Sequence, residues 1–167
     1  PPRSTLFPYT TLFRSSLKTH TYEKKSLVKT TMRDMLDFHS SPKALPKLTP
    51  PPLFVQINSE WIKSLTEGDL HFTLWFGFIP IRWHARHEAG PIETSFADVM
   101  VAGPMGYWRH EHIFEEAEGG VMLTDRVTLG HKSGIQGLLT RLMFDGIPLR
   151  FLFFYRHMQT KRSLHKK

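Results

Sequence analysis

The chain has 167 residues, a formal net charge of +7 and no cysteine. That length suits one domain with a sizeable core, and the missing thiols exclude disulfides, thiol catalysis and zinc–thiolate centres together. No apolar run is long enough to span a membrane, and no basic–aromatic recognition motif accompanies the charge, so neither an integral membrane segment nor a nucleic-acid partner is expected.

The first stretch, Thr5 to Ser15, reads TLFPYTTLFRS. It matches one reading frame of a sequencing-adapter oligonucleotide and is too short and polar for a signal peptide. Residues 1–15 are therefore expected to be an artefactual or disordered leader, residues 16–163 a single domain, and residues 164–167 a basic tail. Without Arg3 and Arg14 the charge falls from +7 to +5, and much of it sits in Lys161, Arg162, Lys166 and Lys167. Such cations suit a helix C-terminus. With no secretory signal, a cytoplasmic location is expected.

His20 to Val28 reads as an opening strand with Tyr22 as its one large residue. Thr31 followed by Asp34 resembles a capping box, with Met32, Met35 and Leu36 as a small apolar face. Ser41-Pro42 restarts a helical turn, Pro46 keeps it short, and Pro50-Pro51-Pro52 is a stiff connector. Strands follow at Leu53 to Asn58, Leu70 to Phe76, Ile81 to Glu88 and Ser95 to Val101. In the second, Leu70, Phe72, Leu74 and Phe76 share a face. In the third, Ile81, Trp83, Ala85 and His87 point inward, while Arg82, His84 and Arg86 point outward.

Gly103 to Val127 reads as a hairpin. Trp108, His110, His112 and Phe114 alternate with Arg109, Glu111 and Glu115, and Leu123, Asp125, Val127 and Leu129 alternate with Thr124, Arg126 and Thr128. The apolar members mark the buried face, and two histidines and an aspartate share it. Buried polar groups must be paired or they cost free energy. If Phe114 opposes Leu123, then His112 opposes Asp125 across the ladder. After Gly130 the period becomes helical. Ile135, Leu138, Leu139, Leu142 and Met143 form one stripe, and beyond Gly146 another runs through Ile147, Phe151, Phe154, Tyr155 and Met158, expected to be core packing.

An opening strand, two short helices, six antiparallel strands and a long C-terminal helix make the helix-grip order. From about Thr19 to Arg162 the chain resembles the SRPBCC superfamily, which includes START lipid-transfer domains, polyketide cyclases and coenzyme Q-binding proteins. The phrases that carry the resemblance are DFHSSPKALPKLTPPP, IPIRWHARH, GPMGYWRHEHIFEE, LTDRV and FYRH. The resemblance implies an α+β fold, a curved antiparallel sheet wrapped around the last helix, with an apolar cavity between them. It does not imply a reaction. Near Gly130-His131-Lys132-Ser133 the chain departs from the more apolar, proline-containing entry to the last helix that the pattern would have.

The expected function is binding of a small hydrophobic or amphipathic ligand, such as a lipid, isoprenoid or polyketide, in that cavity. Its expected contacts are Phe72, Leu74, Trp83, His87, Trp108, His110, His112, Phe114, Leu123, Asp125, Phe151 and Tyr155. One alternative is a cyclase- or dehydratase-type enzyme with His112, His110 and Asp125 as acid/base candidates. Another is a non-catalytic interaction domain whose core is filled by Trp83, Trp108 and Phe151. Binding without turnover is favoured over catalysis. The inward histidines match no familiar zinc spacing, so no metal and no cofactor are expected. The small ligand is the expected partner, and a second copy of the chain is left open.

Overall fold

The computed structural model describes residues 17–165, so the leader and the end of the basic tail lie outside the described residues. Eleven elements follow in order: β1 (Thr19–Val28), α1 (Met32–Ser40), α2 (Ala44–Lys47), β2 (Leu53–Ser64), β3 (Glu67–Phe76), β4 (Ile79–Ala89), β5 (Ser95–Ala102), β6 (Tyr107–Ala117), β7 (Gly120–Gly130), α3 (Gly134–Phe144) and α4 (Gly146–Leu164). The strands form a single seven-stranded antiparallel sheet in the order β1-β7-β6-β5-β4-β3-β2. The two short helices leave from the end of β1, and α3 and α4 close the concave face. This is the helix-grip architecture. Among the described residues no helix is long and apolar enough to cross a membrane.

Local chemistry sets several of these boundaries. The Thr31 side chain accepts the Asp34 N–H at 3.2 Å, which caps α1. The β6–β7 hairpin closes one pair tighter than the glycines alone suggest. Ala117 pairs with Gly120, which leaves Glu118-Gly119 as the turn, and Gly119 has φ 82°. Asp145 separates α3 from α4 and caps the second with its carboxylate on the Gly146 N–H. His131 braces the same junction: it is buried, bonded to Thr140 Oγ1 at 2.9 Å and to Asp145 Oδ2 at 3.0 Å. Polar side chains thus make the entry to the last helices.

Two packed clusters flank the middle of the concave face. Under α4, Trp83, Trp108, Val127, Leu129, Leu149 and Phe153 come together. Under α1, Val28, Met35, Phe96, Phe114, Val121 and Leu123 do so. The helical faces differ from the sequence expectation. α4 buries Leu149, Phe153, His157 and Thr160, whereas Ile147, Phe151 and Phe154 are exposed and Tyr155 is half-buried. α3 buries Gly137, Thr140 and Phe144, while Ile135, Leu138, Leu139 and Leu142 point to solvent. The cause is the demand of the sheet. At Gly137 a Cβ would collide with the Lys132 carbonyl of the segment leading into α3, and His157 turns inward because an aspartate awaits it there.

Candidate functional site

The hairpin register brings the polar site together. His112 pairs with Asp125 and Phe114 with Leu123 across β6 and β7, as the facing rule requires. Asp98 on β5 pairs with His110 on one side and with His87 on the other. Four neighbouring strands therefore deliver His87, Asp98, His110, His112 and Asp125 to one face. α4 adds His157 and Arg156, and the last turn of α1 adds His39.

Asp125 is the hub. Its Oδ1 accepts a hydrogen bond from His110 Nε2 at 2.9 Å, and its Oδ2 accepts one from His157 Nε2 at 3.0 Å. His112 Nδ1 lies 2.9 Å from Oδ1 but off the line of a hydrogen bond. The aligned partners of Asp125 are thus the diagonal histidine and a helical one, and the directly opposed residue contributes mainly its charge. On its other side, His112 Nε2 donates to Asp98 Oδ2 at 3.3 Å. His87 Nε2 stands 3.1 Å from Asp98 Oδ1, again off line. The result is a chain of alternating imidazoles and carboxylates from β4 to α4.

An ionised carboxylate only accepts, so each nitrogen bonded to one carries the proton. Burial works against the His112 imidazolium, but Asp125 and Asp98 on either side outweigh it and raise the pKa. His87 is raised in the same way: burial opposes the charge and Asp98 prevails. Burial alone would also raise the two aspartates. The histidines reverse that and hold both carboxyls well below the usual range. His110 goes the other way. Burial, aided by the charge on His112, pushes it down to about 4 despite Asp125. His110 is then neutral, with its proton on Nε2 and a lone pair on Nδ1.

His39 was not visible in the sequence as a site residue. Its Nδ1–H donates to the Met35 carbonyl at 2.9 Å, and its ring lies 5.6 Å from that of His112. Burial and the charge on His112 push it down to about 3, which leaves a neutral ring whose Nε2 carries the lone pair. His157 was also missed, since a histidine among aromatic residues gives no periodic signal. His84, by contrast, faces outward as expected and pairs with Asp69 at 2.7 Å.

Between the sheet and α4 lies a cavity of about 650 Å³. Its apolar wall includes Phe72, Leu74, Trp83, Trp108, Phe144 and Phe151, and its polar wall is His39, His87, Asp98, His110, His112 and Arg156. Eight of the twelve contacts expected from sequence stand on this wall. Phe114 and Leu123 do not: both are packed into the core beneath α1. Asp125 lies behind the histidines, buried to 2 % exposure, and Tyr155 is also off the wall. Trp83 and Trp108 stand edge to face at 5.5 Å and border the space. Asp98, His110 and His112 present ligand atoms within 4.8 Å of one another. Of these three, Asp98 and His112 are bonded to each other and His110 is bonded to Asp125.

Fold and cavity together define a helix-grip architecture with a polar cluster on one wall of a cavity. No family model and no curated protein matches the sequence. Solved structures do. Norcoclaurine synthase from Thalictrum flavum, in complex with dopamine and hydroxybenzaldehyde, aligns with a TM-score of 0.66 at 13 % identity over 100 % of this chain and 99 % of that one. The di-domain ARO/CYC StfQ from the steffimycin biosynthetic pathway aligns at 0.65 and 11 % identity, over 87 % of this chain and 51 % of that one. A START superfamily protein from Mycobacterium smegmatis aligns at 0.63 and 10 % identity, over 87 % and 97 %. The chain therefore has the SRPBCC-type fold that its sequence resemblance implies.

Proposed function

We propose that the chain binds a small hydrophobic or amphipathic molecule in the cavity between the sheet and α4. The observation that carries this reading is the chamber itself, about 650 Å³ in volume, apolar over most of its wall and polar on one side. Sites for small molecules combine these features. The neighbours in fold include a START superfamily protein and a synthase with small aromatic molecules bound, which supports the same reading. Native mass spectrometry of freshly purified protein tests it. A co-purified apolar molecule, lost in a variant whose chamber is filled by Leu74→Trp, is the expected result. A chain of bare mass that takes up no apolar probe would overturn it.

A second reading, acid/base catalysis, is favoured by one observation. His110 is neutral, is oriented by the Asp125 carboxylate, and borders the cavity. A histidine held in one tautomer by a carboxylate is what proton transfer requires. Of the acid/base candidates His112 and His110, this reading favours His110, because His112 is engaged with carboxylates on both sides. The test is turnover of a bound molecule to a product of different mass, lost in His110→Gln while binding persists.

A further inference from the structure

We infer that the molecule held in this cavity carries a carboxylate and that Arg156 receives it; the assignment rests on the binding reading above. Arg156 lies on α4 immediately before His157, and its side chain forms part of the cavity wall. Its Cζ stands 5.8 Å from the centre of the Phe153 ring. Its Nε is buried with no hydrogen-bond partner, and among the described residues no carboxylate forms an ion pair with it.

The buried acidic groups on and behind this wall are already engaged, and Glu60, which also borders the cavity, is exposed. Asp125 is held by His110, His112 and His157, and Asp98 by His87 and His112. A guanidinium cannot shed its charge at any physiological pH. A partly buried cation without an anionic partner is costly, and a ligand anion reduces that cost. A carboxylate suits it because its two oxygens match two parallel N–H donors of the guanidinium. The remaining polar neighbours limit the charge. His39 and His110 are neutral, the charge on His87 and His112 is offset by Asp98 and Asp125, and Asp98 on the same wall repels a multiply charged group, so no second uncompensated cation faces the ligand. The site therefore balances one negative charge, not the two or more of a phosphate ester. The rest of the wall, with Phe72, Leu74, Trp83 and Trp108, calls for an apolar body behind the headgroup.

The probes are cis-parinaric acid, a fluorescent apolar carboxylate, and its uncharged methyl ester, titrated at neutral pH into wild type, Arg156→Gln and Arg156→Lys. A charge-assisted pair predicts that wild type prefers the acid by roughly tenfold or more. Arg156→Gln should abolish that preference while binding the ester as before, and Arg156→Lys should retain part of it. Unchanged ester binding also shows that the variant is folded. If wild type binds ester and acid equally, or if Arg156→Gln keeps the preference, the carboxylate assignment falls and the binding reading stands. If neither probe binds, both fall.

Discussion

His157 Nε2 donates a hydrogen bond to Asp125 Oδ2 at 3.0 Å, which joins the middle of α4 to β7 across 32 residues of chain. Because Asp125 also serves two strand histidines, its loss and the loss of His157 are not equivalent. Removing the carboxylate strands three buried imidazoles at once, whereas removing His157 leaves the carboxylate with two partners. Asp125→Asn should cost about 3–5 kcal/mol, in the range for breaking a buried charged network. His157→Gln should cost about 1–3 kcal/mol. Denaturant unfolding measures both, and equal losses would contradict the hub arrangement.

The same substitution should be visible in titration. Asp125 is the leading influence that raises His112 against burial. In Asp125→Asn the His112 pKa, followed by NMR of the ring protons, should therefore fall. A pKa unchanged from wild type would mean that Asp98 alone holds the imidazolium.

Acidification should weaken the fold in a defined window. His39 and His110 have folded-state values of about 3 and about 4, below the ordinary 6.5. Between pH 6.5 and 4 the unfolded chain binds those protons and the folded one does not. Stability therefore falls as pH drops, by up to about 1.4 kcal/mol per pH unit for each histidine. His87 and His112 are raised, so their contribution is fully present below 6.5 and is lost as pH rises through their folded values. The two aspartates add a further loss only below the ordinary carboxylate range. Chemical denaturation at a series of pH values checks the shape. In His39→Phe, the slope between pH 6.5 and 4 should drop by one proton.

The buried and exposed faces of the last two helices give a direct test of packing. Phe153 is fully buried, so Phe153→Ala should cost about 3–5 kcal/mol. Leu142 is 66 % exposed, and Leu142→Ser should change stability by less than about 0.5 kcal/mol. A large loss at Leu142 would show that the α3 stripe is covered after all.

Trp83 and Trp108 share an edge-to-face contact on the cavity wall. An apolar ligand that enters the chamber should change their emission, and Trp83→Phe should remove much of that change. No change on saturation with a bound probe would place the probe elsewhere.

The hairpin was legible because its alternation is strict and its turn is marked by glycines. Those two facts set the phase of every inward residue from Trp108 to Leu129, including the opposition of His112 and Asp125. The length of β2 was not legible. Beyond Asn58 it runs on through Ser-Glu-Trp-Ile-Lys-Ser at the sheet margin, where no buried face imposes alternation. The helical faces misled for a different reason. Phe151, Phe153 and Phe154 lie so close in sequence that hydrophobicity cannot choose between faces. The choice was made by Asp125, which needs His157 inward. His39 was hidden because it belongs to a short helix, and only the tertiary fold carries it to the strand histidines.

β2 forms one margin of the sheet, so one side of its backbone has no strand beside it. A bare margin invites a further strand from a second molecule. Here the pairing with β3 slips between Ile57 and Ser59 and again between Ile62 and Ser64. Each slip twists the strand and interrupts the spacing of its free amide and carbonyl groups. The longest regular run open to a newcomer is Leu53–Ile57, and Lys63 and Glu67 place charges at the far end. The irregularities thus act as a guard against edge-on growth of the sheet into a fibre, and deleting Asn58 would remove the first of them and lengthen the regular run open to a newcomer.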